Sequence, residues 1–250
     1  KFLFVPDFSK LNAEVVLLAV GQAFFSLGIG LGVLLTIGAY MDQNTSILRA
    51  SLIVAGADAG VALLAGLAIF PIVFAHGLSP AEGPGLIFMT LPIAFGGMPG
   101  GAILAPLFFS LMAIAALTSA ITILEAIVST IEDYSTMSRR KIVLLVTFML
   151  WVAGLGTVFS FGKLQDFHPL GIIPAFESRN IFESLDYIVS NWMMPAGGML
   201  IALLAGWGLG RPATSEELRL PRSTVYRVWL ILVRYVVPAA IGLIFISNLR

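Results

Sequence analysis

The chain has 250 residues, no net formal charge and no cysteine, which excludes disulfides, thiolate metal centres and the basic surface that nucleic acid selects. Only 11% of its residues are charged and 58% are hydrophobic, whereas a soluble domain carries about 25% charged residues. With a mean hydropathy of +0.98, the composition is that of an integral membrane protein.

Lys1-Phe-Leu-Phe-Val-Pro-Asp7 has neither an initiator Met nor a signal-peptide pattern and reads as the interior of a longer protein. A spanning helix needs about 20 mainly apolar residues. Six stretches qualify: 13–40, 48–75, 102–131, 141–162, 184–209 and 225–248. The expected fold is therefore an all-α polytopic bundle forming one membrane domain over 1–250.

The first stretch carries the strongest local signal. Gly28, Gly30 and Gly32 alternate at its middle. Each glycine costs roughly 1 kcal/mol relative to alanine in a helix interior, so the helix is expected to unwind there. Inside a bilayer, unwound backbone is tolerated only where it is buried in protein or lines a cavity. Close packing through small residues is the competing use of such glycines. Gln22 and Ser26, beside the break, are polar groups that need partners in lipid.

Residues 76–101 differ from the spans. His76-Gly-Leu-Ser-Pro-Ala-Glu-Gly-Pro-Gly85 is turn-rich, Leu86–Phe95 is apolar but too short to cross, and Pro92 interrupts it. A helical hairpin over 78–100 is expected to pack on the bundle as a lid; an ordinary loop with an amphipathic helix is the alternative. Loops 41–49, 132–141 and 210–224, with Arg227 just beyond, hold eight basic residues: Arg49, Arg139, Arg140, Lys141, Arg211, Arg219, Arg222 and Arg227. The opposite side holds five: Lys1, Lys10, Lys163, Arg179 and Arg250. The positive-inside rule places those three loops in the cytoplasm and the hairpin outside.

Polar groups inside spans are functional candidates by default. Asp58 lies in the second stretch and the adjacent hydroxyls Thr118 and Ser119 in the third, one turn after Ala115. Two hydroxyls and a carbonyl on one helical turn can supply oxygen ligands to a cation; bonding of the hydroxyls back to the preceding turn is the alternative. Asp186 opens the fifth stretch, where a carboxylate could simply cap the helix. His76 and His168 both fall in loops far apart in sequence, so neither a zinc site nor a Ser-His hydrolase is expected. No enzyme is expected, and no repeated polar ring marks a channel.

Gly21-Gln-Ala-Phe-Phe-Ser-Leu-Gly28, followed by Gly30 and Gly32, resembles the sixth transmembrane helix of the neurotransmitter:sodium symporter family, whose bacterial members are amino-acid transporters with the leucine-transporter fold. Ala115-x-x-Thr118-Ser119 resembles its eighth helix, and Asn191-Trp-Met-Met-Pro195 its bacterial members. The resemblance covers nearly the whole chain, as helices six to eleven: the second inverted repeat, with one broken helix, plus one further helix. It implies that five preceding helices of the same protein complete the site, in the bacterial cytoplasmic membrane. It further implies sodium-coupled symport of an amino acid by alternating access. A non-transporting receptor or scaffold subunit on the same fold is the alternative.

The same resemblance assigns residues. Two sodium sites draw on Ser26, Asp58, Ala115, Thr118 and Ser119. Substrate meets Phe25, Ser26, Gly28, Gly30, Leu31, Ala120 and Ile123. Gating falls to Gln22, Tyr40, Asp133 and Asp186. Asp58 stands where many members have an asparagine, and Ala62 where others have a chloride-linked residue, so no chloride is expected. Gly28 and Ala120 replace serines and Leu31 replaces an aromatic, which points to a bulky apolar or aromatic substrate.

Overall fold

The computed structural model describes residues 3–5, 7–42, 44–77, 86–220 and 223–248. Among them the chain is helical, with no strand. In order it forms α1 (Ala13–Ser26), α2 (Val33–Ala39), α3 (Ile47–Ala75), α4 (Leu91–Gly97), α5 (Gly101–Tyr134), α6 (Arg139–Phe159), α7 (Ile181–Tyr187), α8 (Met194–Leu203), α9 (Arg211–Glu217), α10 (Thr224–Ile231) and α11 (Val237–Asn248). Helices α7 and α8 join into one span, as do α10 and α11, giving five helices long and apolar enough to cross a membrane. The expected sixth is the pair α1–α2, which the glycine break divides into two pieces, each too short to cross alone. At most 22% of the apolar window of any full span is buried within the chain. Surfaces so apolar and so exposed are stable in hydrocarbon and not in water.

Helix ends follow local chemistry. The Asn12 side chain accepts the Val15 amide at 2.8 Å and opens α1. Asn180 and Glu183 form a capping box that opens α7. Besides the π-turn Leu204–Gly208, helices widen into π-turns at three places, Leu86–Thr90, Ile188–Met193 and Leu232–Val236. Each ends two residues before a proline: Pro92, Pro195 and Pro238. Proline lacks an N–H and its ring clashes with the carbonyl four residues back. Widening the turn there removes the clash and lets the helix continue past the proline.

The chain divides into two compact units, 1–10 with 49–121 and 11–48 with 122–250, the boundary falling within α5. In the first, the core is Val73 of α3 with Leu91 and Phe95 of α4, ringed by Phe108 and Phe109 of α5. The segment 86–97 therefore packs on its unit as a single helix led by a π-turn. Residues 78–85 of the expected hairpin lie outside the described residues. In the second unit, Val128 of α5 meets Ile142 and Val146 of α6. There too α8 packs against α11, and α1 against α11.

Candidate functional site

The break in the first stretch is built by backbone conformation. Gly28, Gly30 and Gly32 have φ of 63°, 99° and 77°, a region that costs an L side chain about 1–2 kcal/mol. Helix α1 ends as the amides of Gly28 and Ile29 turn back to the carbonyls of Phe25 and Phe24, at 2.9 and 3.1 Å. Helix α2 restarts at Val33 with Gly32 as its cap and no capping side chain. The Leu27 and Ile29 carbonyls accept no backbone N–H among the described residues, so polar backbone is presented where a continuous helix would have hidden it.

The unwound segment is seated on α8. A Cβ placed on Gly30 would overlap the Met194 carbonyl and crowd the Gly198 amide. One on Gly197 would overlap the Gly30 carbonyl, and one on Gly198 would overlap the Phe24 ring. Glycines on both sides thus allow backbone-to-backbone approach. Gly32 has no such neighbour, and Gly28 meets only Leu31 Cδ1, at 3.8 Å. The two uses of glycine that the sequence left open operate together: the break opens the helix, and Gly30 also packs.

Beside this seat lies a cavity of about 670 Å³. Its polar wall is Glu14, Gln22, Asp186, Ser190 and Asn191; Phe24, Phe25, Met194 and Pro195 supply the apolar wall. Ser190 donates to Asp186 Oδ1 at 3.2 Å. Asn180 and Glu183 already cap α7, so Asp186 is not the capping residue and its carboxylate faces the cavity. The π-turn Ile188–Met193 carries both Ser190 and Asn191, and π-turns recur where helices present functional groups.

A second polar cluster joins α2, α5 and α6. Tyr40 donates to Glu125 Oε1 at 3.0 Å, and Arg139 bridges Glu125 at 2.6 Å and Glu132 at 2.8 Å. Glu125 and Glu132 are seven residues apart, two turns, so they share one face of α5. The side chains of Arg139 and Glu125 are 46% and 31% exposed, so each pair is worth no more than about 1 kcal/mol. Pairs this exposed do not determine the fold. Asp133, next to Glu132, makes no ion pair among the described residues.

Residues 1–166 match the description of the sodium:neurotransmitter symporter family, well over half of the chain. The chain belongs to the sodium:neurotransmitter symporter family. An uncharacterized sodium-dependent transporter, YhdH, of Bacillus subtilis is 35% identical over 99% of the chain and 54% of its own length. A sodium-dependent transporter of Haemophilus influenzae is 33% identical over 99% of the chain and 53% of its own length. Among solved structures, MhsT in complex with L-phenylalanine superposes with a TM-score of 0.87 at 39% identity, over 99% of this chain and 55% of that one. The chain spans about half the length of the relatives it matches.

Within this symporter fold the site residues divide between the two units. Phe25, Ser26, Gly28, Gly30 and Leu31 belong to the break in the second unit, where Phe25 and Leu31 are 49% and 39% exposed. Ile123 is in the same unit, on α5. In the first unit, Asp58 is half-buried on α3, while Ala115, Thr118, Ser119 and Ala120 are exposed on α5. Thr118 donates its hydroxyl to the Ala115 carbonyl at 2.8 Å. That is the back-bonding alternative realised, yet it holds two oxygens side by side on one turn. Gln22 and Asp186 share the cavity, and Tyr40 joins the Glu125–Arg139 cluster. Sequence reasoning counted Arg139 only as a loop charge; the two-turn Glu125–Glu132 spacing followed by Arg139 was the signal for the ion-pair cluster, and nothing in it pointed to Tyr40.

Proposed function

We propose that the full-length protein is a sodium-coupled symporter of a bulky apolar or aromatic amino acid, working by alternating access. One observation carries this reading: three glycines at positive φ open a helix and expose its backbone, in a chain of a sodium-dependent transporter family. Freed backbone groups at a broken helix bind small zwitterions and cations in transporters of this architecture. Sodium takes oxygen ligands from Ser26, Asp58, Ala115, Thr118 and Ser119, the Ala115–Thr118 oxygen pair being already aligned at 2.8 Å. The amino acid lies along Phe25, Ser26, Gly28, Gly30, Leu31, Ala120 and Ile123. Glycine at 28 and alanine at 120 leave room for a larger side chain, whose burial stabilises by about 25 cal/mol per Å².

Gln22 and Asp186 serve the extracellular gate; Tyr40, Asp133 and the Glu125–Arg139 pair serve the cytoplasmic gate. The loops 41–49, 132–141 and 210–224 face the cytoplasm, and the inner membrane of a bacterium is the setting. The binding of L-phenylalanine by MhsT supports the substrate class.

The test is uptake by the full-length protein against sodium concentration, for wild type and for Thr118→Ala combined with Ser119→Val. Loss of two ligands is expected to raise the half-saturating sodium concentration at least fivefold. In the same assay unlabelled leucine, phenylalanine or tryptophan should compete at least tenfold better than glycine or alanine. An unchanged sodium curve would remove the Thr118–Ser119 site, and better competition by glycine would remove the substrate class.

A further inference from the structure

Arg234 is the charge that the transport reading leaves unused. It lies inside the apolar span Thr224–Ile246, and its Nε donates to the Gly206 carbonyl. No carboxylate pairs with it among the described residues. A guanidinium has five N–H donors, and the four on its Nη atoms find no protein acceptor among the described residues. Both helices are widened where they meet, at Leu204–Gly208 and Leu232–Val236.

Gly206 and Trp207 close the span Ile181–Gly208, so the guanidinium lies against the end of that neighbouring helix, reached from a residue well inside its own span Thr224–Ile246. It lies 4.9 Å from the centre of the Trp207 ring. Trp207 in turn packs edge-on against Tyr235 at 5.8 Å. Both aromatic side chains are open to the surroundings, 56% and 57% exposed. Trp and Tyr gather where hydrocarbon meets headgroups, and a half-buried arginine reaches the same layer by extending its stem along apolar surface. The adjoining segment adds Arg211 and Arg219, both exposed, with Glu216 and Glu217 opposing them.

We infer that Arg234, Trp207 and Tyr235 form a binding site for the phosphate of an anionic phospholipid, in the leaflet next to residues 210–224. The Nη groups supply a planar pair of donors matched to phosphate oxygens. The indole N–H and phenol O–H supply neutral donors at the same level, and the flanking arginines strengthen attraction to an anionic leaflet.

The experiment uses the full-length protein in detergent micelles. Binding of phosphatidylglycerol and of phosphatidylcholine is read by native mass spectrometry, for wild type, Arg234→Gln and Arg227→Gln. Wild type should prefer phosphatidylglycerol by at least fivefold. Arg234→Gln should lose most of that preference, whereas Arg227→Gln, which removes the same charge from an exposed position nearby, should change it less than twofold. Should Arg234→Gln fail to fold, the wild type and Trp207→Phe provide the second reading. Brominated phosphatidylglycerol should quench the Trp207 component of fluorescence at least threefold more than brominated phosphatidylcholine. Equal quenching by the two lipids, an unchanged preference in Arg234→Gln, or displacement of the lipid by millimolar inorganic phosphate would each overturn the lipid site, the last by assigning it to a soluble anion.

Discussion

Gly30→Ala in the full-length protein is expected to abolish sodium-dependent uptake and to destabilise the protein by about 2–5 kcal/mol. Two costs add. The left-handed backbone, at φ 99°, strains any L side chain by about 1–2 kcal/mol. The new methyl meets the Met194 carbonyl and the Gly198 amide, and overpacking against backbone costs about 1–3 kcal/mol. The neighbouring glycines separate these contributions. Gly32→Ala has the strain, at φ 77°, but nothing within 4 Å to strike, so it should lose only about 1–2 kcal/mol. Gly21→Ala, within α1 and also without a neighbour inside 4 Å, should be neutral or stabilising by up to about 1 kcal/mol. Thermal unfolding of the three variants gives the order. Equal stability of Gly30→Ala and Gly21→Ala would show that the unwound segment is not seated on α8.

Asp58→Asn is expected to cause a large functional loss without a matching loss of stability. Two sodium ions and a zwitterion leave two positive charges without compensation, and isolated ions away from water cost several kcal/mol each even after relaxation. In the proposed sodium site, the Asp58 carboxylate on α3 would supply fixed negative charge to the ion. With that charge built in, and Ala62 offering no hydroxyl, uptake should be equal in sodium chloride and sodium gluconate. Asp58→Asn keeps the shape and removes the charge, and should lower uptake at least tenfold at limiting sodium; added chloride should not restore it. Wild-type uptake that collapses in gluconate would falsify the proposal of chloride independence.

The parts of this account that were readable from sequence are those with a local cause. Apolar length located the spans to within a few residues, because hydrocarbon thickness sets helix length directly. Gly28, Gly30 and Gly32 announced the break because glycine alone tolerates the backbone it requires. The seating of Gly30 on Gly197 and Gly198 was not readable. The pieces are more than 160 residues apart in the chain, and nothing in either segment names the other. The π-turns also escaped, although Pro92, Pro195 and Pro238 mark three of them; a proline in an apolar stretch can kink a helix or end it as well as widen it. Glu125 and Arg139 were visible as charges, but only the packing of α2, α5 and α6 brings Tyr40 to them. That Asp186 does not cap α7 became visible once Asn180 and Glu183 were seen to hold the capping positions.

Sodium coupling is the central claim, and gradient-driven uptake tests it most directly. The full-length protein is reconstituted into liposomes and given labelled L-phenylalanine under an inward sodium gradient, or under an equal potassium gradient at the same membrane potential. The account predicts accumulation above the external concentration only with sodium, and its collapse when a sodium ionophore dissipates the gradient. Equal accumulation in potassium, or no accumulation of any of the twenty amino acids with the sodium gradient in place, would contradict it.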